Sequence, residues 1–208
     1  MEDVLELYAE PPDSLRPLVS FDERPVQLLS ELREPLPCRP GQPRRQDYEY
    51  QREGTCNIFS FFAPHEKWRH MEVTEQRTAV DFAHQMKWLV DVRYPDAQVI
   101  RLVLDNLNIH SPASLYQAFP AEEARRITTK LEFHYTPKHA SWLNMNELEL
   151  AVLSRQCLSR RLASREEVAQ EIGAWEQERN AAGATVTWRF TTAHARTRLA
   201  RLYPALEA

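Results

Sequence analysis

The sequence predicts an α/β fold: a mixed five-stranded sheet flanked by helices, with extra helices at the C-terminus. Three observations carry this reading. The run Ile100–Leu104 is apolar except for Arg101, and its length and β-branching suit a buried parallel strand. A helical region and a second short strand, Glu132–Thr136, follow it. Such a strand–helix–strand unit is right-handed, so its two strands lie parallel. Upstream, extended stretches rich in aromatic and β-branched residues precede the first long helix, which gives the order β-β-β-α-β-α-β-α.

Taken in chain order, Met1–Ala9 reads as one amphipathic helix, with Val4, Leu5 and Leu7 or Tyr8 on one side, stopped by Pro11-Pro12. The first strand runs from Leu18 to Asp22, and Asp22-Glu23 closes it before Pro25. Val26–Leu32 suits either a second extended segment or a short turn of helix. Pro35, Pro37, Pro40, Gly41 and Pro43 then impose a stiff, irregular loop that also carries Arg44 and Arg45. Tyr48–Tyr50 and Cys56–Ala63 read as strands with Gly54 at the bend between them, and Trp68–Val73 as an antiparallel neighbour.

Thr78-Ala-Val-Asp81 is a capping box. It opens a helix whose stripe is Val80, Phe82, Ala83, Met86, Leu89, Val90 and Val92, ending before Pro95. After Leu104, two short helices, Ser114–Phe119 and Ala121–Lys130, are separated by Pro120. The strand to Thr136 leads through a loop to a helix bearing Glu147. Ser164-Arg-Glu-Glu167 opens a long polar helix to about Ala182, with Val168, Ile172 and Trp175 inward and Gly183 as its stop. Val186–Phe190 is a short extended piece, and Thr192–Leu202 a last basic helix. The chain thus divides into an N-terminal helix and linker (1–17), a core (18–163) and a C-terminal helical extension packed on it (164–208).

Composition narrows the class. With 208 residues and 43% apolar content, the chain suits one core of good size. No apolar run approaches the ~18 residues of a membrane span, and the acidic start MEDVLELYAE lacks a signal-peptide pattern. Three widely spaced cysteines without a CxxC suggest free thiols in a reducing compartment and give no zinc set. The net charge of −4 hides an uneven distribution. From Ala151 to Ala208 nine arginines face six glutamates, and Arg39, Arg44, Arg45 and Arg52 form a second basic group. A site built from carboxylates lowers net charge without weakening a basic rim around it.

The candidate chemistry lies in acids at strand ends. Asp105 follows a central strand at the carboxyl end, where open α/β sheets place their sites. Glu147, on the helix after the next parallel strand, can approach it, and Asp22 ends the first strand. Taken singly, an Asp before Asn is a common turn former and a Glu on an amphipathic helix is commonly solvated. Together, three carboxylates at ~5 Å repel by roughly 3 kcal/mol per pair at an effective dielectric of ~20. Either their protonation shifts or a cation sits among them. Oxygen ligands beside a phosphate substrate favour Mg²⁺, with Mn²⁺ as substitute, and two such ions suit in-line displacement at phosphorus. Asn106 and His110 stand at the lip, and Lys138 and His139 in the loop before Glu147 can hold phosphates. Trp142 reads as a buried anchor of that loop before it reads as a platform for a flipped base.

The stretches DNLNIHSPASLYQAF, LEFHYTPKHASWLNMNELE and VLSRQCLSRR, with SFDERPVQLL, DYEYQREGTCNIFSFF, DFAHQMKWLVDVRYPDA and WRFTTAHARTRLARLYP, resemble the DDE endonuclease domain of mariner-related bacterial transposases (insertion-sequence family six-thirty). The resemblance spans about Met1 to Pro204. It implies a ribonuclease-H-like sheet in which the first and fourth strands are neighbours. It also implies Asp22, Asp105 and Glu147 as catalytic, metal-binding acids, with Glu149 a competitor for the third role. Asn106, His110, Lys138, His139, Arg44 and Arg45 are the expected DNA contacts.

The implied activity is metal-dependent cleavage and strand transfer at transposon ends, by a homodimer on DNA in the cytoplasm of a bacterium, associated with the nucleoid. The chain starts barely 20 residues before Asp22, which leaves no room for helix-turn-helix modules. These are expected from a separate partner. The other reading is a truncated, non-catalytic relative acting as interaction partner or inhibitor. Three positions depart from the family pattern: Arg24 after the Asp-Glu pair, Ala140 where glycine is usual, and His194 where an acid is usual.

Overall fold

The computed structural model describes residues 1–43, 45 and 47–203. Among these, seven α-helices surround one mixed sheet of five strands in the order β3-β2-β1-β4-β5, the ribonuclease-H-like arrangement. The strands are β1 (Leu18–Glu31), β2 (Tyr50–Ala63), β3 (Trp68–Thr74), β4 (Ile100–Leu104) and β5 (Leu131–Tyr135). The helices are α1 (Glu2–Ala9), α2 (Ala79–Trp88), α3 (Pro112–Ala118), α4 (Ala121–Thr129), α5 (Met145–Gln156), α6 (Arg165–Ala181) and α7 (Thr192–Arg198). None is long and apolar enough to cross a membrane among the described residues.

The first three strands are antiparallel, while β4 lies parallel to both β1 and β5. All five residues of β4 are buried, as a strand covered on both faces requires. Side chains alternate between the two faces. Val19, Phe21, Phe59, Phe61, Leu102 and Leu104 join Phe82 and Met86 of α2, Leu115 of α3 and Ile127 of α4 in one core layer. On the opposite face, Ile58 and Met71 meet Leu150 and Leu153 of α5 and Val168, Ile172 and Trp175 of α6. Farther along that face, Leu18, Phe62 and Val103 pack on Val4, Leu5 and Tyr8 of α1 and on Ala195 of α7.

Several expectations change. The first strand does not close at Asp22; β1 continues to Glu31, so Val26–Leu32 is its extension rather than a helical turn. Only Leu18–Ser20 pair with β4, which leaves Pro25 where the strand has one partner, the setting in which a strand tolerates proline. Tyr50–Ala63 is one strand, not two. Gly54, at φ 108°, marks a bulge where the register slips between Leu28 and Leu29, a conformation that needs glycine. The last helix ends at Arg198 and is followed by a 3-10 turn, Ala200–Leu202.

The predicted box of α2 forms in full, whereas at α6 only the Ser164 half does, Glu167 accepting instead from the Ala163 amide. Thr78 and Asp81 form the capping box of α2, and Ser164 accepts from the Glu167 amide at α6. His194, where an acid is usual, closes a capping box with Thr191. Arg69, fully buried on β3, is ion-paired to Glu149 of α5 and hydrogen-bonded to Asn180 of α6, which ties the C-terminal helices to the sheet.

Candidate active site

The alternation of β1 sets the site. Phe21 points into the layer under α2, so Asp22 projects to the α5 face and Glu23 back to the α2 face. The start of α5 is fastened just there. Asn144, its N-cap, accepts from the Asn146 amide at 3.0 Å and donates from Nδ2 to the Phe21 carbonyl at 2.7 Å. Asn146 donates to the Ser20 carbonyl at 3.2 Å and to the Ser60 carbonyl at 2.5 Å, and accepts from Ser60 Oγ at 2.8 Å. Both asparagines are buried. From the other side, the Tyr8 hydroxyl donates to the Leu143 carbonyl at 2.7 Å. Glu147, one residue past Asn146, therefore shares a cleft with Asp22, Glu23 and Arg24.

Asp105 leaves β4 beside them and lines an adjoining cleft with Asn106, Thr136, Lys138, His139 and Ser141. Burial, opposed by a hydrogen bond from the Glu23 amide, and the charges of Glu23, Asp105 and Glu147 push the Asp22 carboxyl up to about 7. Asp22 thus feels the charges of both other acids.

His110 departs from its expected place. It is buried rather than at the lip, packed edge-on to Phe21 and tilted against Phe82. Its Nδ1 lies 2.6 Å from Asp105 Oδ1, and its Nε2 lies 3.0 Å from Glu23 Oε2, a charge contact off the hydrogen-bond axis. Burial alone would lower the imidazole; the two carboxylates outweigh it and push it up to about 9. In turn, burial would raise Asp105, but His110 holds its carboxyl below the usual range. Arg77 pairs with Glu23 at 3.5 Å and completes the chain of charges. A DNA contact by His110 would require it to leave this pocket.

The two glutamates of α5 separate clearly. Glu149 is buried and held by Arg69 at 3.0 Å and Arg179 at 2.9 Å, so its charge is neutralised inside the protein. Glu147 is partly exposed on the cleft. Asn106, Lys138 and His139 are exposed along the Asp105 cleft. Arg45 stands in the β1–β2 loop, bridged through its backbone to Leu36, and lines neither cleft; Arg44 lies outside the described residues. The positive φ in the loop before α5 belongs to His139, at 63°, whereas Ala140 sits at −124°, so alanine there meets no strain. Trp142 is 41% exposed, not a buried anchor.

Sequence reasoning missed the paired asparagines and Glu23. An Asn ahead of a helix is a capping signal, but its second bond to β1 has no local signature. A cavity of about 640 Å³ lies among residues 12–18, His65, Glu66 and 93–97, away from the carboxyl end of β4. Its Arg93 is already paired with Glu66 and stacked over Trp68 and Tyr94.

Among the described residues, no group of three or more His, Cys, Asp or Glu side chains is spaced to hold a metal ion. The three acids do not form such a group, and Asp105 Oδ1 is engaged by His110 Nδ1 at 2.6 Å. The donor chemistry nevertheless fits a hard divalent cation: Asp22 and Glu147 offer carboxylate oxygens in one cleft, and Asp22 is raised first by burial and further by the neighbouring carboxylates.

Residues 17–169 match the family model described as DDE superfamily endonuclease. No curated protein matches the sequence. Among solved structures, the catalytic domain of Mos1 mariner transposase aligns with a TM-score of 0.54 and 14% identity, over 81% of this chain and 76% of that one. The Mos1 strand transfer complex aligns at 0.58 and 16%, over 87% and 55%, and the Mos1 mariner paired end complex with Mn at 0.55 and 17%, over 81% and 52%. The chain spans about half the length of the transposase chains in those two complexes.

Proposed function

The chain belongs to the DDE superfamily of endonucleases, and from that premise we propose that it is a transposase catalytic domain that cuts and joins DNA strands. The observation carrying this reading is that Asp22 lies on β1 and Asp105 just past the end of its parallel neighbour β4, with α5 fastened through Asn144 and Asn146 so that Glu147 shares the Asp22 cleft. Asp22, Asp105 and Glu147 are the residues that would hold Mg²⁺ or Mn²⁺. When bound, such ions supply charge stabilisation at the phosphodiester and lower the pKa of the attacking water or 3′-hydroxyl.

The protein's own residues do the rest. His110 keeps the Asp105 carboxylate ionised and oriented. Lys138, with its point charge, and His139 and Asn106, with their hydrogen-bonding groups, line the Asp105 cleft where a phosphate backbone would run. Asn144 and Asn146 fix the separation between β1 and α5, so that Glu147 does not drift from Asp22. We assign the insertion-sequence origin, action at transposon ends and assembly as a dimer on DNA as parts of the same proposal.

The test is nicking of supercoiled DNA in Mg²⁺ or Mn²⁺, comparing the wild type with Asp105→Asn. Cleavage by the wild type alone supports the assignment. Equal cleavage by both rejects the site. Cleavage by neither favours the second reading, a non-catalytic partner or inhibitor of a full transposase.

A further inference from the structure

Beside the acidic clefts stands a feature the acids do not use. Trp142 lies in the 3-10 turn Ser141–Leu143, between Ser141, which lines the Asp105 cleft, and Leu143, which is fully buried. The residue is 41% exposed, yet its ring packs on two other aromatic rings. Trp188 lies nearly parallel to it, at 13° with centroids 6.4 Å apart, and Phe190 meets it edge-on at 5.4 Å and 81°. Trp188 is itself fixed: its Nε1 donates to the Phe190 carbonyl at 2.8 Å, and Tyr8 packs against its ring at 5.2 Å. Tyr8 also hydrogen-bonds the Leu143 carbonyl, so the turn and its aromatic support are one unit.

An exposed indole whose orientation is set before any ligand arrives is a preorganised surface for a flat partner. The chemistry around it selects the partner. Lys138 and His139 are exposed on the same loop, and Arg189 is exposed between Trp188 and Phe190. An aromatic face among cationic side chains, next to a carboxylate cleft, matches a nucleic-acid strand: bases stack on the ring and phosphates meet the cations. A paired base inside a duplex offers no free face, so the ligand must be unpaired.

We infer that Trp142, supported by Trp188 and Phe190, is a stacking site for an unpaired nucleobase of the strand that enters the Asp105 cleft. This rests on the reading of the protein as a DNA-processing enzyme, but it needs neither cleavage nor metal.

The test uses the full chain in EDTA and measures binding, by fluorescence anisotropy, to a duplex with a single-stranded tail. A matched duplex carries abasic sites in that tail. The expected result is that Trp142→Ala weakens binding of the base-containing tail by about five- to 150-fold, the range of one base–aromatic stack. The wild type should bind the abasic tail as weakly as Trp142→Ala does, and Trp142→Phe should restore most of the affinity. Lys138→Ala should weaken both DNAs alike and reduce their salt dependence.

The proposal is overturned if the wild type binds both tails equally, or if Trp142→Ala weakens both by the same factor. It is also overturned if the substitution changes the oligomeric state in size-exclusion chromatography and leaves DNA affinity intact, since the ring would then serve a second copy of the chain. Should Trp142→Ala melt early, Trp142→Phe and the abasic comparison in the wild type still decide the matter. Base-dependent binding without nicking would defeat the endonuclease reading alone, and nicking without base-dependent binding would defeat this inference alone.

Discussion

Asn144 donates from its side chain to the carbonyl oxygen of Phe21, 2.7 Å away, and so joins the first turn of α5 to the residue that precedes Asp22. Asn146 adds bonds to Ser20 and Ser60 on the same face of the sheet. Two acids far apart in the chain are thereby held beside one cleft by neutral, buried amides.

Asn146→Leu should leave Ser60 Oγ and two carbonyls without this partner. A buried group stripped of its hydrogen bond costs about 1–3 kcal/mol, or roughly 2–4 °C of melting temperature per kcal/mol in a chain of this size. Thermal melting checks this; an unchanged melting temperature would mean the amide is not a fastening.

Glu147 and Glu149 should separate by phenotype. Glu149→Ala leaves Arg69 buried with its main charge partner gone, and breaking such a pair costs about 3–5 kcal/mol. Glu147→Gln should melt within about 0.5 kcal/mol of wild type, as a cleft-facing surface change does, but lose nicking. The opposite pattern would exchange the two roles.

Asp22 gives a pH signature. Its folded value of about 7 stands above the ordinary 3.8, so the folded state holds this proton more tightly than the unfolded chain. Its contribution to stability therefore falls as pH rises from about 4 to about 7. Asp22→Asn should raise stability at pH 8 by on the order of 2 kcal/mol after screening, seen as a higher melting temperature, and change little at pH 4. Equal effects at both pH values would show that Asp22 is not electrostatically strained.

His110 gives a slope of the same sign at higher pH, but here it is the charged form that stabilises. Raised to about 9, it contributes stability that is complete below its ordinary 6.5 and lost as pH climbs through about 9. His110→Gln should therefore cost more at pH 6 than at pH 9.5 in chemical denaturation. A cost independent of pH would reduce His110 to a packing residue between Phe21 and Phe82.

Manganese should stabilise the wild type by RT ln(1 + [L]/Kd), about 2.7 kcal/mol at a hundredfold excess over Kd. Asp105→Asn should abolish most of that shift in a thermal melt. If the wild type shows no shift at millimolar Mn²⁺, the acids do not assemble around a cation.

Much of this molecule is written in local patterns. The apolar run Ile100–Leu104 is β4, the Thr78–Asp81 box starts α2, and Val168, Ile172 and Trp175 are the buried stripe of α6. Periodicity and capping depend on residues within a few positions of each other, so the sequence alone sets them. The strand-end position of Asp105 and the helical position of Glu147 were legible for the same reason.

Tertiary structure decided which partner each polar group meets. Asp22 was expected to end its strand, but antiparallel pairing with β2 carries β1 on to Glu31. His110 was expected at the lip, but Asp105 and Glu23 draw it inside. Glu149 competed with Glu147 until Arg69, from β3, neutralised it in the core. Trp142 was expected to be buried, and its support comes from Trp188 and Phe190, far along the chain. In each case the deciding neighbour arrives through the sheet or across a helix interface. Charge, burial and exposure are sums over such nonlocal neighbours, and no spacing in the sequence encodes them.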